Sequence, residues 1–276
     1  MTIAVIFACF NRKHKTKRCL EYIYRQQIEH NCIKIDVYVT DDGSTDGTKE
    51  LLKSFAEKMT VYIINGNNLF WNKGMYVAMK KAMEFQYDYY MMINDDVEFY
   101  DNFLDVMLES FAEVGIPCGI SGPTQDEDHL HTTYGGKMIN GKGFIEPNGN
   151  IQKCDLANWN CFLVNHTIID KVGIIDPCYD HSYGDYDYSL AMQRNGFDVY
   201  LAKEYVGICD RNSTKGTYKD TTLTRRQRMN IFFSPKGMSI KSLLRYSLKN
   251  LDFIGVRGMI FFLCTYIKNL IVVLVG

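Results

Sequence analysis

The chain has 276 residues, of which 46% are apolar and 23% charged, with a formal net charge of −1. That composition excludes a disordered chain, a collagen-like chain and a long coiled coil, and the length suffices for one large domain, or one domain plus an appendage. The charge is unevenly placed: residues 211–249 carry ten Lys/Arg and a single acid, Asp220, which leaves 21 basic against 31 acidic residues elsewhere.

Residues 3–9 form a continuous apolar run, as a strand buried on both faces requires. No basic region precedes it and no cleavage site follows, so it reads as a strand and not as a signal peptide. The spacing of Cys19, Leu20, Ile23 and Tyr24 predicts a helix over 15–27. A short strand is expected over 35–40, then a helix capped by Ser44 or Asp46 and running to about residue 58. A strand over 61–64, a helix over 73–85, a strand over 89–93 and a helix over 103–114 follow. Four β-α units in succession predict a parallel sheet with helices on both faces.

After Gly115 the alternation breaks down, and an irregular stretch runs to about Asn150. A strand over 161–164, helices over 167–172 and 185–195, and a strand over 199–202 come next. The expected division is a domain over 1–215 and a basic, apolar extension over 216–276. Within the extension, residues 251–276 are strongly apolar but interrupted by Arg257 and Lys268, and the longest uncharged run, 258–267, has ten residues. A spanning helix needs about 20 apolar residues. The tail is therefore expected to lie in a membrane interface, with the upstream basic segment on anionic lipid; core packing or a subunit contact is the alternative. Nine cysteines without a C-x-x-C pair predict reduced thiols and a cytoplasmic setting.

Ligands of open α/β sheets bind outside the carboxyl ends of the strands, which selects 10–12, 41–46, 65–71 and 94–96. No G-x-G-x-x-G follows the first strand and no G-x-x-x-x-G-K-[ST] occurs, so the dinucleotide fingerprint and the P-loop are absent. A diphosphate would then be held most simply with a metal. A turn and a cap explain residues 43–48, but not the adjacent carboxylates Asp41 and Asp42, which repel one another and need a donor. Asn94-Asp95-Asp96-Val97 offers the hard oxygen ligands that Mg²⁺ or Mn²⁺ prefers. His181-Ser182-Tyr183-Gly184-Asp185-Tyr186-Asp187-Tyr188 opens a helix with two acids where one would serve as a cap. The cluster Asp126-Glu127-Asp128-His129 with His131 reads as a polar loop, and Trp71 and Trp159 as either stacking platforms for a sugar or base, or buried aromatics.

In this order the segments resemble family 2 glycosyltransferases of the GT-A fold. FNR followed by DDGSTDGT matches the family's opening, NDDV its D-x-D element, and GDYDYSLAMQRNGF its catalytic helix start, with Gly184 where Glu is common. NNLFWNKG (67–74) resembles the segment after the third strand, and DLANWNCFLV (155–164) the acceptor-side strand. Residues 225–241 resemble the basic tail of members that build bacterial surface polysaccharides such as capsule, rhamnosyltransferase-like members among them. The resemblance covers about residues 1–245. It implies an α/β GT-A fold, with a mostly parallel central sheet, helices on both faces and a C-terminal basic and apolar helical extension.

The resemblance also implies an inverting, metal-dependent transfer of one sugar from a UDP- or dTDP-sugar to a saccharide acceptor that is lipid-linked, with Mn²⁺ or Mg²⁺ as the ion. Ala8, Phe10, Arg12, Asn68 and Gly74 then belong to the nucleotide site. Asp42 accepts from the pyrimidine N3–H, Asp95 contacts the ribose or sugar, Asp96 binds the metal, and Asp185 is the general base. The late His that often supplies a further metal ligand has no counterpart in Cys209-Asp210-Arg211-Asn212, which leaves Asp210 or water. The chemistry suits the residues: the ion offsets charge on the leaving diphosphate, and one carboxylate on the opposite face deprotonates the acceptor hydroxyl. The implied partners are the donor, the acceptor and an anionic membrane, with no nucleic acid; the implied place is the cytoplasm, peripheral on the inner face of the cell membrane. Two other readings are a sugar-nucleotide pyrophosphorylase, whose glycine-rich loop after the first strand is missing, and a catalytically inactive sugar-binding or scaffold subunit, against which the intact acids argue.

Overall fold

The computed structural model describes residues 1–211 and 213–275. In chain order, the first half comprises β1 (Thr2–Cys9), α1 (Lys13–Glu29), β2 (Lys34–Asp41), α2 (Thr48–Ala56), β3 (Val61–Asn65), α3 (Phe70–Ala82), β4 (Tyr89–Ile93), β5 (Glu98–Phe99) and α4 (Phe103–Val114). Then come β6 (Gly119–Ser121), β7 (Thr124–Gln125), β8 (Thr132–Tyr134), β9 (Gly136–Lys137), β10 (Gln152–Cys154), β11 (Leu156–Ala157), β12 (Cys161–Asn165), α5 (His166–Val172), α6 (Gly184–Arg194), β13 (Val199–Leu201) and β14 (Gly207–Ile208). Three helices close the chain: α7 (Arg225–Phe232), α8 (Ile240–Lys249) and α9 (Leu251–Val275).

Strand β1 shows why both faces of the sheet must be covered. Its side chains alternate, so Ile3, Val5 and Phe7 enter one core with Leu20 and Ile23 of α1, Leu52 of α2 and Met107 of α4. Ala4, Ile6 and Ala8 enter the other with Met75 and Met79 of α3, Ile168 of α5 and Met192 of α6. Strand β1 pairs in parallel with β2 on one side and β4 on the other, and β3 is parallel to β2. The carboxyl ends of these strands therefore open at one edge of the sheet.

The second half departs from simple alternation. Strand β12 runs antiparallel between β4 and β6, β13 is parallel to β6, and β10 is antiparallel at the edge. The eight-stranded order is β10-β13-β6-β12-β4-β1-β2-β3, mostly parallel and covered on both faces. The expected caps of α2 serve another purpose. The cap position is Gly47, at φ 86°. Ser44 Oγ accepts from Asn11 N at 2.9 Å, and Asp46 accepts from Lys13 N at 2.8 Å and Thr48 N at 3.1 Å. The loop thus pins the start of α1 to the start of α2.

The C-terminal helices fold back on the sheet domain. Asp187 of α6 accepts from Lys249 Nζ at 2.6 Å and Asn250 Nδ2 at 2.9 Å, and Asp176 meets Arg245 at 2.9 Å and Lys249 at 3.0 Å. Arg228 is buried and donates to Tyr218 O at 2.9 Å and Val272 O at 3.2 Å. These three cations are used internally, while Lys215, Lys219, Arg225, Arg226 and Lys241 remain exposed.

Helix α9 has 25 residues, a mean hydropathy of 2.1 over its most apolar window, and 6% of that window buried. By length and composition it is sufficient to cross a membrane, which differs from the expectation drawn from uncharged runs. Arg257 and Lys268 interrupt the apolar run but not the helix; its one non-helical residue is Gly255, at φ 64°. Tyr266 and Val273 pack on Phe232 and Leu243, while Val256, Ile260, Phe261, Ile267 and Ile271 stay exposed.

Candidate active site

The apolar strands deliver four polar segments to one edge. Leaving β1, the backbone turns through Asn11 at φ 50°, whose Oδ1 accepts from Thr45 N at 2.7 Å. That turn aims Arg12 across the edge: its guanidinium meets Asp95 Oδ1 at 2.6 Å and Asp96 Oδ2 at 2.7 Å. Asp95 is buried and also accepts from Thr16 Oγ1 at 2.7 Å. Burial pushes its carboxyl up to about 6, against the pull of Arg12 and Thr16. Asp96, by contrast, lines a cavity. The D-x-D-like pair is therefore divided, with Asp95 behind the guanidinium and Asp96 in front of it.

A cavity of about 290 Å³ opens beside Arg12 and gathers Ala8, Phe10, Asp42 and Asn68, as expected of the nucleotide site. Asp42 is held at the N-terminus of α3, where its two oxygens accept from Leu69 N at 2.8 Å and Phe70 N at 2.9 Å. Its neighbour Asp41 is buried and accepts from Ser44 N at 3.0 Å. The donors that two adjacent carboxylates need are thus backbone N–H groups of two different loops. Gly74 lies beneath this cavity and not in its wall. A Cβ there would stand 2.9 Å from the Cβ of Ala8, so Gly74 sets how closely α3 approaches β1.

A second cavity, of about 400 Å³, contains Asp96, Asp185, Asn158, Asn160 and Tyr186. Arg12, Trp71 and His181 line both cavities, which makes them two halves of one cleft. Asp185 begins the first turn of α6, with Oδ1 accepting from Tyr186 N at 2.9 Å and Oδ2 from Asn158 Nδ2 at 3.2 Å. Burial pushes its carboxyl up to about 6, with the Tyr186 N–H and Lys137 opposing. Such a group is anionic at neutral pH and still basic enough to take a proton from a hydroxyl positioned against it.

Gly184 stands where the related pattern carries Glu, and the reason is steric. A Cβ there would lie 1.6 Å from Asn72 Oδ1. Asn72 is itself fixed by donating to Asp176 O at 2.7 Å and Tyr179 O at 3.1 Å.

Three cleft residues carried little sequence signal. His181 is held down to about 4 by burial and by the charges of Lys236 and Arg12, so it is neutral. Lys236 comes from the far C-terminal segment, its Nζ 5.3 Å from the Phe10 ring centroid. Its charge alone had suggested a surface role. Trp71 is oriented by its Nε1–H donating to Asn94 Oδ1 at 2.8 Å. Trp159, the other tryptophan, is fully buried and stacks on Phe162 at 5.7 Å between centroids, so it is a core aromatic.

Among the described residues no group of three or more His, Cys, Asp or Glu could hold a metal ion by itself. Asp126 accepts from Leu130 N at 2.8 Å and His131 N at 3.1 Å, which shapes its own loop. Asp210 accepts from Glu127 N at 3.1 Å, and Asn212 lies outside the described residues.

Solved structures with this architecture are distant in sequence. The chain is 12% identical to S. aureus TarS 1–349 in complex with UDP-GlcNAc, with a TM-score of 0.58 over 98% of this chain and 81% of that one. It is likewise 12% identical to the mannosyltransferase PcManGT from Pyrobaculum calidifontis in complex with GDP-Man and Mn²⁺, with a TM-score of 0.56 over 97% of this chain and 74% of that one. These likenesses are of fold, and the fold is GT-A. No curated protein matches the chain. The model of glycosyl transferase family 2 matches residues 4–173, more than half of the chain, and the chain belongs to that family.

Proposed function

We propose that the protein transfers one sugar, with inversion, from a UDP- or dTDP-sugar to a hydroxyl of a lipid-linked saccharide in the synthesis of a bacterial surface polysaccharide. The observation that carries this reading is the two-part cleft. The cavity bounded by Ala8, Phe10, Asp42 and Asn68 adjoins the cavity of Asp185 through Arg12, Trp71 and His181. A donor held on the first side presents its anomeric carbon to the second. There Asp185 takes the acceptor's proton as the hydroxyl attacks, and a single displacement inverts the centre. A retaining mechanism by double displacement would need a second carboxylate as nucleophile about 5 Å away.

Arg12 and Lys236 border the donor cavity and supply positive charge to the diphosphate. Asp96 fits an Mg²⁺ or Mn²⁺ ion that is shared with the donor, because such ions keep waters and substrate phosphates alongside one or two carboxylates. When bound, the ion offsets charge developing on the leaving diphosphate. The TarS structure with UDP-GlcNAc and the PcManGT structure with GDP-Man and Mn²⁺ support a nucleotide-sugar donor and a divalent ion. The exposed apolar face of α9 and the exposed lysines and arginines upstream support a peripheral place on the cytoplasmic face of the membrane.

A thermal-shift panel of nucleotide sugars with Mn²⁺, followed by product analysis, tests the reading. A pyrimidine diphospho-sugar is expected to stabilise the protein, and nucleoside diphosphate is expected to be released on adding acceptor. Stabilisation by purine donors alone, or release of pyrophosphate, would overturn it.

A further inference from the structure

Beyond Tyr183 and Tyr186, which line the Asp185 cavity, lies a third cavity of about 410 Å³ that also uses these two tyrosines as walls. Its remaining lining is of two kinds. Leu156, Ile254, Phe261 and Phe262 make an apolar surface, and Lys137 and Arg257 contribute two cations. Lys137 is half-buried with its Nζ 4.5 Å from the centroid of the Tyr186 ring. Among the described residues, neither Lys137 nor Arg257 makes a salt bridge, whereas Arg194, Arg245 and Lys249 nearby in the chain all do. Two cations left without anions beside an apolar wall complement a ligand that is itself anionic at one end and apolar at the other.

The placement fits such a ligand. Phe261 belongs to both the cavity and the exposed apolar face of α9, where it is 67% exposed. A chain leaving the cavity along that helix would meet the face most suited to lipid. In the other direction, the tyrosine wall leads to Asp185.

We propose that this cavity holds the lipid-phosphate end of the acceptor, with the phosphate on Lys137 and Arg257, the hydrocarbon chain along Ile254, Phe261 and Phe262, and the saccharide passing Tyr183 and Tyr186 to reach Asp185. The proposal rests on the glycosyl-transfer reading and names where that reaction's acceptor is recognised. Arg257, an interruption of the apolar run in the sequence, thereby becomes a phosphate-binding group at the mouth of the site.

The probe is decyl phosphate below its micelle concentration, titrated into the full chain, with decyl glucoside and inorganic phosphate as its apolar and ionic halves. Decyl phosphate is expected to bind at least about tenfold more tightly than either half. Losing one charge-assisted contact should weaken it by about tenfold to a hundredfold in Arg257→Glu and in Lys137→Met. Arg257 is exposed, so its variant keeps the test decisive should Lys137→Met fold poorly. UDP affinity, measured in the same samples, should be unchanged. Equal binding of decyl phosphate by wild type and variants, or binding no tighter than that of the halves, overturns the site. If decyl phosphate behaves as expected while no pyrimidine diphosphate binds, the amphiphile site stands and the donor assignment falls.

Discussion

Two carboxylates of the first turn of α6 stand two residues apart and face different parts of the molecule. Asp185 looks into the cleft, where it receives one backbone N–H and one long side-chain contact, and burial raises its pKa to about 6. Asp187 looks toward the C-terminal helices, where Lys249 and Asn250 satisfy both of its oxygens. The helix N-terminus favours both charges, so the difference lies in what packs against each. A carboxylate matched by a cation and an amide holds structure together. A carboxylate buried without a close cation is unfavourable for folding at neutral pH and is the one left able to take a proton.

The largest effect that would sharpen this contrast is in turnover. Asp185→Asn keeps shape but cannot take the proton, so kcat should fall by about 10²–10⁴-fold with donor Kd nearly unchanged. Asp187→Asn should keep kcat within a few-fold. Steady-state kinetics and donor calorimetry on both variants decide it, and a dead Asp187→Asn with an active Asp185→Asn would reverse the assignment.

Metal dependence comes next. Asp96→Ala should abolish the Mn²⁺-dependent part of UDP or dTDP binding, read by calorimetry with and without the ion. An unchanged metal dependence would remove Asp96 from that role.

Stability should move in opposite directions for the two helix acids. The folded pKa of Asp185, about 6, lies above its unfolded value. Its charged form therefore costs stability above pH 6, and that stability returns as the pH falls toward 4. Asp185→Asn should raise Tm at pH 7.5 by a few degrees, with the gain vanishing near pH 4. Asp187→Asn weakens a buried contact to Lys249 and should lower stability by about 1–3 kcal/mol. Scanning calorimetry at the two pH values checks both signs.

The smallest of these effects is a pH profile. The acidic limb of kcat/KM should bend near pH 6 as Asp185 protonates. A limb that stays flat down to pH 5 would mean another group is the base.

How much of this was legible in the sequence follows from where each signal resides. Strands β1, β2 and β4 are buried on both faces, so their apolar runs mark them directly, and the polar residues that end them mark the cleft. Strands β10 and β12 run against the others, and their direction depends on long-range pairing that no local pattern encodes. Asp185 was legible through its motif, but the burial that tunes it was not. Lys236 and His181 could not be placed beside Phe10 and Arg12, because only the return of the C-terminal segment brings them there. The same return explains why truncation after about Pro235 removes a wall of the donor cavity along with the membrane-facing tail, so vesicle binding must be read together with UDP affinity. Helix α9 shows the opposite fault: counting uncharged stretches treats each cation as a boundary, whereas a helix carries Arg257 and Lys268 without interruption.

The collision that excludes a side chain at Gly184 reaches further than that one residue. With Asn72 Oδ1 in the space a Cβ would need, the two positions form a single unit of inheritance. A larger residue at 184 can enter this lineage only after position 72 has shrunk or turned away, and an Asn72 truncated first would leave a hole and two orphaned carbonyls. Any route between this glycine and the glutamate of its relatives thus crosses a low-fitness intermediate, which makes the Asn72–Gly184 pair a marker of descent as well as of packing.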